Sequence, residues 1–338
     1  MAEKWILRKG SKDSGFRYSG PDGKPVRDKA TRERIDLLRV PPAWRDVHIA
    51  VSPRAAIQVW GFDARGRKQY RYHLRAVEKG QLRKYYRVRQ MAKELPKLRK
   101  RLLQDLARKD HSRDRVCAGI VLLISHAWFR VGSDKYEKEN NSFGITTLRK
   151  THVERDDSRI IFNYRGKRGI DHRQSVTDPR LVTFVLDLMD TPGRRLFRYK
   201  DGRSWVDVDS HAVNDYIEEI AEFPYTAKDF RTWGGSLRAA TVLSDLGPAR
   251  TKTARTKNVL MTVRMVAAEL GNTPAILRKS YVHPMIFTRY LRSGSTIEVP
   301  GRKKRGSISA SKHTPEEVAL IDFLDEHFPD RRKARRAE

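Results

Sequence analysis

RVCAGIVLLISHAWF, residues 115–129, is apolar on nearly every side when it is drawn as a helix. A helix without a polar face has to be covered by other elements, so this stretch is predicted to lie buried inside a domain. The segments on both sides of it must therefore supply the surrounding layers.

Downstream of this helix the pattern predicts a small sheet and then a series of helices. Residues 145–176 are expected to form a three-stranded meander, with turns at 156–158 and 165–169. Helical spacing dominates afterwards, at about 179–190, 209–220, 227–245, 255–270 and 274–282. Thr314-Pro315-Glu316-Glu317 is a capping box that opens a last helix to about Phe328, and residues 331–336 are predicted to form a frayed basic tail.

Upstream, the character of the chain changes near residue 80. Short apolar or aromatic pieces alternate with turn residues and predict strands at 5–7, 16–18, 47–51 and 57–62, with one helix over 29–38. From about Glu78 to Leu106 apolar residues recur at helical spacing instead. Pro96 is expected to break or kink that helix. A domain boundary or hinge is predicted at residues 76–85.

These patterns predict an α+β protein with two domains. Residues 1–80 would form a small, sheet-rich N-terminal domain. Residues 81–338 would form a larger, mostly α-helical domain that contains a three-stranded antiparallel sheet. The length of 338 residues agrees with two domains of roughly 100–200 residues each.

The composition indicates a polyanionic partner. Lys and Arg number 71 against 41 Asp and Glu, which gives a net charge of +30. Such an excess favours nucleic acid, with an acidic membrane surface as the alternative. Between Gln81 and Lys109 eleven basic residues accompany two acidic ones. A run of one sign favours a surface that faces phosphates, although a solvated helix face has the same composition.

Absent features exclude several classes of protein and site. The sequence has no run of about 18 apolar residues, which a membrane-spanning helix needs, and its first residues lack the apolar stretch of a secretion signal. One cysteine, Cys117, allows neither an internal disulfide nor a thiolate cluster. The protein is therefore expected to be soluble and cytoplasmic.

Motifs for nucleotide and metal chemistry are also missing. There is no GxxxxGK[ST] loop, no GxGxxG turn and no HExxH pair, so work driven by ATP is not expected. Asp207-Val208-Asp209-Ser210-His211 comes nearest to a metal site, but Asp209 or Ser210 is better placed to cap the helix that follows. Neither a metal nor a cofactor is expected, so phosphate chemistry would depend on Arg and Lys.

Candidate cations stand beside rigid elements. Arg130 directly follows the apolar helix, where it either serves a site or complements the helix dipole. Lys167 occupies the tip of a predicted two-strand ribbon, where it either enters a groove or is an ordinary exposed lysine. Lys228 and Arg231 lie three residues apart on one face of a predicted helix.

A further candidate segment begins at Gly271-Asn272-Thr273-Pro274. Thr273 is a suitable N-cap and Pro274 suits the first turn, which leaves the amide of Asn272 outside the helix. Tyr281 stands near the end of the same helix. Spacing alone does not distinguish Tyr281 from a core tyrosine.

In this order, the pieces resemble the type IB DNA topoisomerases of the poxvirus and bacterial kind. The matching set is Arg130, Lys167, Lys228-Asp229-Phe230-Arg231-Thr232-Trp233 and Gly271-Asn272-Thr273-Pro274 up to Ser280-Tyr281. Residues 66–73 (GRKQYRYH) and 140–148 (NNSFGITTL) also look like family segments, and the resemblance covers roughly residues 5–290.

The resemblance implies a monomeric enzyme that clamps duplex DNA like a C and relaxes its supercoils. Tyr281 would attack a backbone phosphodiester and form a 3′-phosphotyrosyl link, and the 5′-hydroxyl strand would swivel and return. Roles are also implied for five other side chains: Arg130, Arg231 and Asn272 would bind phosphoryl oxygens, Lys167 would be the general acid for the departing 5′ oxygen, and Lys228 would assist. The implied DNA-binding residues are Arg67, Gln69, Tyr70, Arg71, Tyr72, Lys135 and Tyr136.

Two details qualify these implications. Many relatives carry His where Asn272 stands, and an amide donates a hydrogen bond but does not shuttle a proton, which favours oxyanion stabilisation there. Tyr70, Tyr72 and Gln69 combine ring faces with polar tips that suit base edges in the major groove, although strand aromatics also pack across a sheet.

The implied chemistry agrees with the missing nucleotide loop. A free phenol ionises only near pH of about 10, so it is a poor nucleophile at neutral pH. Several cations around one phosphate would stabilise the charge that its attack creates. The covalent link keeps the energy of the broken bond, so no ATP is needed.

Two other functions agree with part of the sequence. Tyrosine recombinases share the Arg–Lys–Arg–Tyr chemistry, but they usually carry His-x-x-Arg where Lys228 precedes Arg231, and their N-terminal region is typically helical. A non-enzymatic DNA-packaging protein would need only the charge.

Overall fold

The computed structural model describes residues 5–299 and 312–328. The chain divides into two compact units, Met1–Lys84 and Tyr85–Glu338. The predicted α+β class is confirmed, since the first unit contains an antiparallel sheet and the second is mostly helical with small sheets. The basic tail predicted at 331–336 lies outside the described residues.

The first unit is a five-stranded antiparallel sheet with one helix. Its elements are β1 (Trp5–Ser11), β2 (Gly15–Ser19), α1 (Lys29–Leu37), β3 (Arg45–Ala50), β4 (Ile57–Phe62) and β5 (Lys68–Tyr72), and the strand order is β2-β1-β3-β4-β5. Ile35 of α1 is buried against Ile6, Val47, Ile49 and Val59. The strands and the helix predicted from the apolar pieces are confirmed.

The helical series begins with α2 (Leu74–Leu106), in which the division between the units falls. Pro96 lies inside this helix and does not end it, so the expectation of a break is wrong. A proline costs a helix interior about 3 kcal/mol. Leu95, Leu98 and Leu102 are each 1% exposed, and burying one such side chain contributes about 1.5–3 kcal/mol. Packing therefore outweighs the proline.

Several cations of the basic face of α2 are paired with carboxylates within the second unit. Arg87 pairs with Asp229 at 2.8 Å, Lys93 with Asp325 at 2.5 Å, Arg101 with Asp105 at 2.8 Å, and Arg99 with Glu317. The expectation that this run faces phosphates is therefore wrong for these four residues, whose charges are paired within the protein. Their acidic partners are mostly far away in the chain, so local spacing does not reveal them.

The second unit is built around the apolar helix. Its remaining helices are α3 (Arg113–Ala127), α4 (Asp134–Asn140), α5 (Pro179–Met189), α6 (Ser210–Ala221), α7 (Ala227–Leu246), α8 (Lys252–Glu269), α9 (Pro274–Ser280), α10 (Pro284–Ser293) and α11 (Pro315–His327). Every residue of α3 from Arg115 to Ile124 is buried, and α5, α6 and α7 contact it. The prediction that this stretch forms a buried helix is confirmed.

A three-stranded antiparallel sheet lies in the same unit: β6 (Val153–Asp156), β7 (Arg159–Arg165) and β8 (Asp171–Val176), in the order β6-β7-β8. The predicted meander is confirmed from residue 153 onward. Residues 145–152 differ, because they form two short 3₁₀ turns. The side chain of Thr147 accepts a hydrogen bond from the backbone N–H of Gly144 at 3.0 Å, which closes the first turn and competes with strand pairing.

The predictions missed β5 in the first unit and, in the second, α4, α10 and a hairpin of β9 (Arg198–Asp201) with β10 (Ser204–Asp207). Each is ten residues or shorter, so its periodic signal is weak. The capping box before α11 is confirmed, since Glu317 and Thr314 bond each other's backbone N–H at 3.0 and 3.2 Å. None of the helices in the two described ranges combines the length and apolar composition that crossing a bilayer needs.

Candidate active site

The end of the buried helix α3 positions Arg130. Trp128 takes the left-handed conformation (φ 57°) and its N–H donates to Ile124 at 2.9 Å, which ends the helix. Phe129 turns into the core with 0% exposure. The carbonyl of Arg130 accepts a hydrogen bond from the N–H of Ile145 at 2.7 Å. The arginine is therefore held by the rigid helix on one side and the 3₁₀ turn on the other.

The guanidinium of Arg130 reaches the segment before α9. Its Nη2 donates to the carbonyl of Gly271 at 2.5 Å and to Oδ1 of Asn272 at 2.6 Å. Burial lowers the pKa of Arg130, because a low-dielectric environment disfavours the charged form. An anion placed beside the guanidinium would offset this cost.

A second buried guanidinium, that of Arg231, reaches the neighbouring carbonyl. Arg231 is 3% exposed, and its Nη2 donates to the carbonyl of Leu270 at 3.0 Å. Burial also lowers the pKa of Arg231. The start of α7 is fixed by Asp229, whose carboxylate accepts hydrogen bonds from the backbone of Thr226 at 2.9 Å and from Arg87 at 2.8 and 3.1 Å.

Tyr281 lies directly after α9 and against this cation. The guanidinium carbon of Arg231 is 5.3 Å from the centre of its ring. The ring is half-buried, and the backbone of Tyr281 is anchored by a hydrogen bond from its N–H to Leu277 at 2.9 Å. A Cβ on Gly235 would lie 2.7 Å from the carbonyl oxygen of Tyr281. Helix α7 thus approaches the tyrosine as closely as a glycine allows.

Polar atoms that lack a partner concentrate at this point. Arg130 Nη1, Arg231 Nε and Asn272 Nδ2 are buried, and within residues 5–299 and 312–328 none of them has a hydrogen-bond partner. All three are donors, and buried donors are rarely left without an acceptor. The arrangement is suited to an anion with several oxygens, such as a phosphodiester.

Sequence reasoning missed one residue of this cluster, His172. Its ring stacks on that of Tyr164, with centroids 5.0 Å apart and planes 10° from parallel. Burial, and then the positive charges of Arg130 and Arg231, lower its pKa from 6.5 to about 4. The predicted ribbon could have indicated this residue, because His172 is the direct cross-strand partner of Tyr164 in the β7–β8 pair.

The two predicted lysines lie apart from this cluster. Lys167 is exposed in the 3₁₀ turn Lys167–Gly169, and its Nζ is 5.4 Å from the centre of the Tyr136 ring. Lys228 is exposed in the first turn of α7. Among the described residues, no hydrogen bond joins either ammonium to Arg130, Arg231 or Tyr281. The structure therefore gathers Arg130, Arg231, Asn272 and Tyr281, and it leaves both lysines in solvent.

Strand alternation divides the predicted DNA-binding residues of the first unit. Tyr70 and Tyr72 lie on one face of β5, with ring centroids 5.9 Å apart and exposures of 42% and 53%. Gln69 and Arg71 lie on the other face. Nε2 of Gln69 donates to Asp63 at 3.0 Å, Arg67 pairs with the same carboxylate at 2.7 Å, and Arg71 donates to the carbonyl of Arg39 at 2.9 Å.

The other predicted DNA-binding residues, Lys135 and Tyr136, are exposed on α4. Lys135 is 3.8 Å from Glu139, and Tyr136 is 46% exposed. Glu137 of the same helix accepts hydrogen bonds from Arg149 at 2.8 Å and Arg195 at 2.6 Å. The side chains of Lys135 and Tyr136 therefore project from a helix that is held in place.

No group of three or more His, Cys, Asp or Glu side chains within the described ranges is arranged to hold a metal ion. Asp209, the acidic residue weighed above for such a role, accepts a hydrogen bond from the N–H of Ala212 at 2.8 Å as the N-cap of α6. The capping interpretation of this segment is confirmed.

Comparison with known proteins identifies the family. A family model described as the catalytic core of eukaryotic DNA topoisomerase I matches residues 71–298, more than half of the chain. The chain belongs to the type IB DNA topoisomerase family. A second model, the N-terminal domain of bacterial DNA topoisomerase IB, matches residues 15–63 of this topoisomerase.

Viral topoisomerases are similar over most of the chain. The DNA topoisomerase 1B of Acanthamoeba polyphaga mimivirus is 33% identical over 285 residues, which cover 82% of this chain and 84% of the relative. The DNA topoisomerase 1B of vaccinia virus (strain Copenhagen) is 25% identical, covering 66% of this chain and 68% of the relative. The resemblance stated from the sequence is confirmed. This type IB topoisomerase is an isomerase that acts on DNA, which favours neither the recombinase nor the packaging protein.

Proposed function

We propose that this topoisomerase relaxes supercoiled duplex DNA by transient cleavage of one strand through a 3′-phosphotyrosyl intermediate at Tyr281, without ATP or a metal ion. The observation that carries the proposal is the convergence of three unpartnered donors beside a half-buried tyrosine ring. They belong to Arg130, Arg231 and Asn272. A phosphodiester in this position would satisfy all three donors at once.

The cleavage step exchanges one ester bond for another. The phenol oxygen of Tyr281 attacks phosphorus, its bond to phosphorus forms, and the bond between phosphorus and the 5′ oxygen breaks. The phenol loses one proton and the departing 5′ oxygen gains one, so a 5′-hydroxyl results. The number of ester bonds is conserved, which is why the reverse step needs no fuel. Between the two steps the 5′ strand swivels about the intact strand.

The arginines and Asn272 stabilise the pentacoordinate phosphoryl group. Arg130 and Arg231 are charged, rigidly held donors for the nonbridging oxygens. Oδ1 of Asn272 accepts from Arg130, so Nδ2 is the end of the amide that points to a substrate oxygen. This orientation supports donation to the oxyanion and not proton transfer.

Lys167 is proposed as the general acid and Lys228 as a nearby assistant. The ammonium of Lys167 stands over the Tyr136 ring, where a cation–π contact at an exposed site is worth only about 0.5–1 kcal/mol. A phosphate offers a stronger partner, so the side chain is expected to leave that ring when DNA binds. Lys228 is exposed on the first turn of α7, three residues before Arg231.

The remaining parts of the proposal come from the family resemblance. A monomer would close around the duplex, and the nucleoid of the cytoplasm would be its location. Tyr70 and Tyr72, exposed on one face of β5, and Tyr136 and Lys135, exposed on α4, are proposed to contact DNA. For Gln69, Arg67 and Arg71, contact with DNA would require exchange of their present partners.

The substitution Tyr281→Phe tests the proposed nucleophile. The rate of covalent capture on a nicked suicide substrate, trapped with SDS, is expected to fall at least roughly 1000-fold, as it does when a nucleophile is removed. Equilibrium binding to an uncut duplex should change less than threefold, since the ring and its contact with Arg231 remain. Peptide mapping of the wild-type adduct should place the DNA on Tyr281.

Tyr199→Phe, at a half-buried tyrosine of β9, is the matched control and should keep wild-type capture. Relaxation of a supercoiled plasmid is expected in excess EDTA and without ATP, at protein concentrations too low for assembly. A strict Mg²⁺ requirement, or an adduct that persists in Tyr281→Phe, would contradict the proposal. Activity only in a tetramer at paired sites would indicate a recombinase instead.

A further inference from the structure

His172 occupies the space between two segments that carry proposed catalytic residues. A Cβ on Gly166 would lie 2.5 Å from its Cδ2 and 2.6 Å from its Nε2, and a Cβ on Gly271 would lie 2.0 Å from its Cε1. Real Cβ atoms do not approach other atoms this closely. The imidazole therefore fills a slot that only two glycines leave open.

The two glycines belong to different parts of the site. Gly166 begins the 3₁₀ turn that carries Lys167, and its N–H donates to Ile170 at 2.7 Å to close that turn. Gly271 precedes Asn272, and its carbonyl accepts the hydrogen bond of Arg130. The size of the imidazole ring thus sets the separation between the Lys167 turn and the segment that orients Arg130.

The ring itself is held by a column of aromatic side chains. His172 stacks on Tyr164, and Tyr164 stacks on Phe129 with centroids 6.0 Å apart. The hydroxyl of Tyr164 donates to Gln174 at 2.7 Å, and Gln174 donates to the carbonyl of Ala127 at 2.5 Å. This column ties the histidine to the end of α3, immediately before Arg130.

Burial and the neighbouring cations keep the imidazole neutral. Burial first, and then the positive charges of Arg130 and Arg231, lower its pKa, whereas Asp171 raises it. Its Nε2 is buried and has no hydrogen-bond partner in the described part of the chain. A neutral ring adds no third positive charge beside the two guanidiniums, so it can fill this slot without repelling them.

We propose that His172 is a positioning residue for strand cleavage, a wedge that fixes the Lys167 turn relative to Arg130 and Asn272. The inference rests on the proposed role of Lys167 as general acid. A misplacement of about 1 Å can cost a reaction roughly 100-fold in rate. His172→Ala removes the wedge and is expected to slow single-turnover cleavage by roughly 10- to 100-fold, with duplex affinity unchanged. His172→Gln, a flat side chain of similar reach, should restore most of the rate.

A double-mutant cycle tests the wedge directly. Gly166 has φ −94°, so alanine fits its backbone and only the added methyl group meets the ring. Gly166→Ala is expected to slow cleavage in the wild-type background and to have little further effect in the His172→Ala background. Independent, multiplicative effects of the two changes would overturn the proposal, because they would show that the ring and the glycine do not share this space.

A change of leaving group identifies which catalytic group the wedge serves. A substrate with sulfur in place of the bridging 5′ oxygen releases a thiolate, which needs no general acid. Cleavage of this substrate should be nearly as fast in His172→Ala as in the wild type, as it should be in Lys167→Ala. If the sulfur substrate restores fast cleavage to Lys167→Ala but His172→Ala is slowed equally on the oxygen and sulfur substrates, the wedge proposal is wrong and the role of Lys167 stands. Failure to rescue Lys167→Ala would overturn the role of Lys167 in the proposed function, and this inference with it.

Discussion

At the scale of single residues, burial separates the side chains of the proposed site that are already held in place from those that are exposed to solvent. Arg130 and Arg231 are held by backbone carbonyls at Gly271 and Leu270, so their donors are oriented before any substrate arrives. Such preorganisation lowers the cost of stabilising charge in the transition state. Lys167 is exposed, with its ammonium over the Tyr136 ring, so its placement depends on the turn that carries it.

The depressed pKa of His172 leads to a prediction at this scale. The folded-state pKa is about 4 against an ordinary value of 6.5. As the pH falls below 6.5, the unfolded chain takes up a proton at residue 172 that the folded protein does not bind until about pH 4. The free energy of unfolding therefore decreases across this window. His172→Gln, which does not titrate, should lose less stability between pH 7.5 and 5.

Urea denaturation of both proteins at several pH values measures the effect. Other titrating groups, such as His152, whose pKa is also lowered by burial, are common to both proteins and cancel in the comparison. Parallel stability curves for the wild type and His172→Gln over the whole window would contradict the assignment of a low pKa to His172.

At the scale of elements, the C-terminal helix α11 is fixed to α2 by a buried ion pair. The side chains of Arg99 and Glu317 are 14% and 3% exposed. Burial opposes the ionisation of Glu317, but the hydrogen bond and positive charge of Arg99, together with the backbone N–H of Thr314, outweigh it, and the pKa of this carboxyl lies below its usual value. Glu317 also completes the capping box with Thr314. The side chain of Glu317 thus both caps the start of α11 and attaches this helix to α2.

Glu317→Ala is expected to destabilise the protein by about 3–5 kcal/mol, because it leaves the guanidinium of Arg99 buried without a partner. Urea unfolding at neutral pH measures the loss. The double variant Arg99→Met, Glu317→Leu should recover most of it, since apolar side chains of similar size replace both charges. A loss below about 1 kcal/mol, the range of an exposed ion pair, would contradict the buried character of this contact.

At the scale of the whole molecule, the net charge of +30 is the dominant feature. The ion pairs of α2 show that part of the positive charge serves the fold, since Arg87, Arg99 and Arg101 have carboxylate partners. The excess that remains is available to DNA phosphates. Binding should therefore release counterions from the duplex.

The affinity for duplex DNA is expected to fall steeply with salt, with a log–log slope of about −0.9 for each phosphate neutralised. Titration of a labelled duplex between 50 and 200 mM NaCl should lower the affinity at least roughly 1000-fold if six or more phosphates are contacted. The Tyr281→Phe variant is the suitable protein, because cleavage does not disturb its equilibrium. A slope near zero would contradict an interface dominated by phosphates.

Local patterns in the sequence were sufficient for most of the fold. The spacing of neighbouring residues is enough to predict three elements: the buried helix at 115–129, the β7–β8 ribbon and the capping box at Thr314. Short elements such as α4 and β9 were missed because a few residues carry little periodicity. The family was also recognisable, since the order of its motifs is read directly from the sequence and does not require the tertiary contacts.

The sequence by itself determined the α+β class, the family and the identity of the candidate side chains, because those properties depend on residue types and their order. Only the tertiary structure decided which of them meet. It gathered Arg130, Arg231, Asn272 and Tyr281 and placed His172 between two glycines that are 105 residues apart in numbering. It also paired the basic face of α2 with distant carboxylates. Such contacts depend on long-range packing, and neither periodicity nor spacing along the chain encodes them.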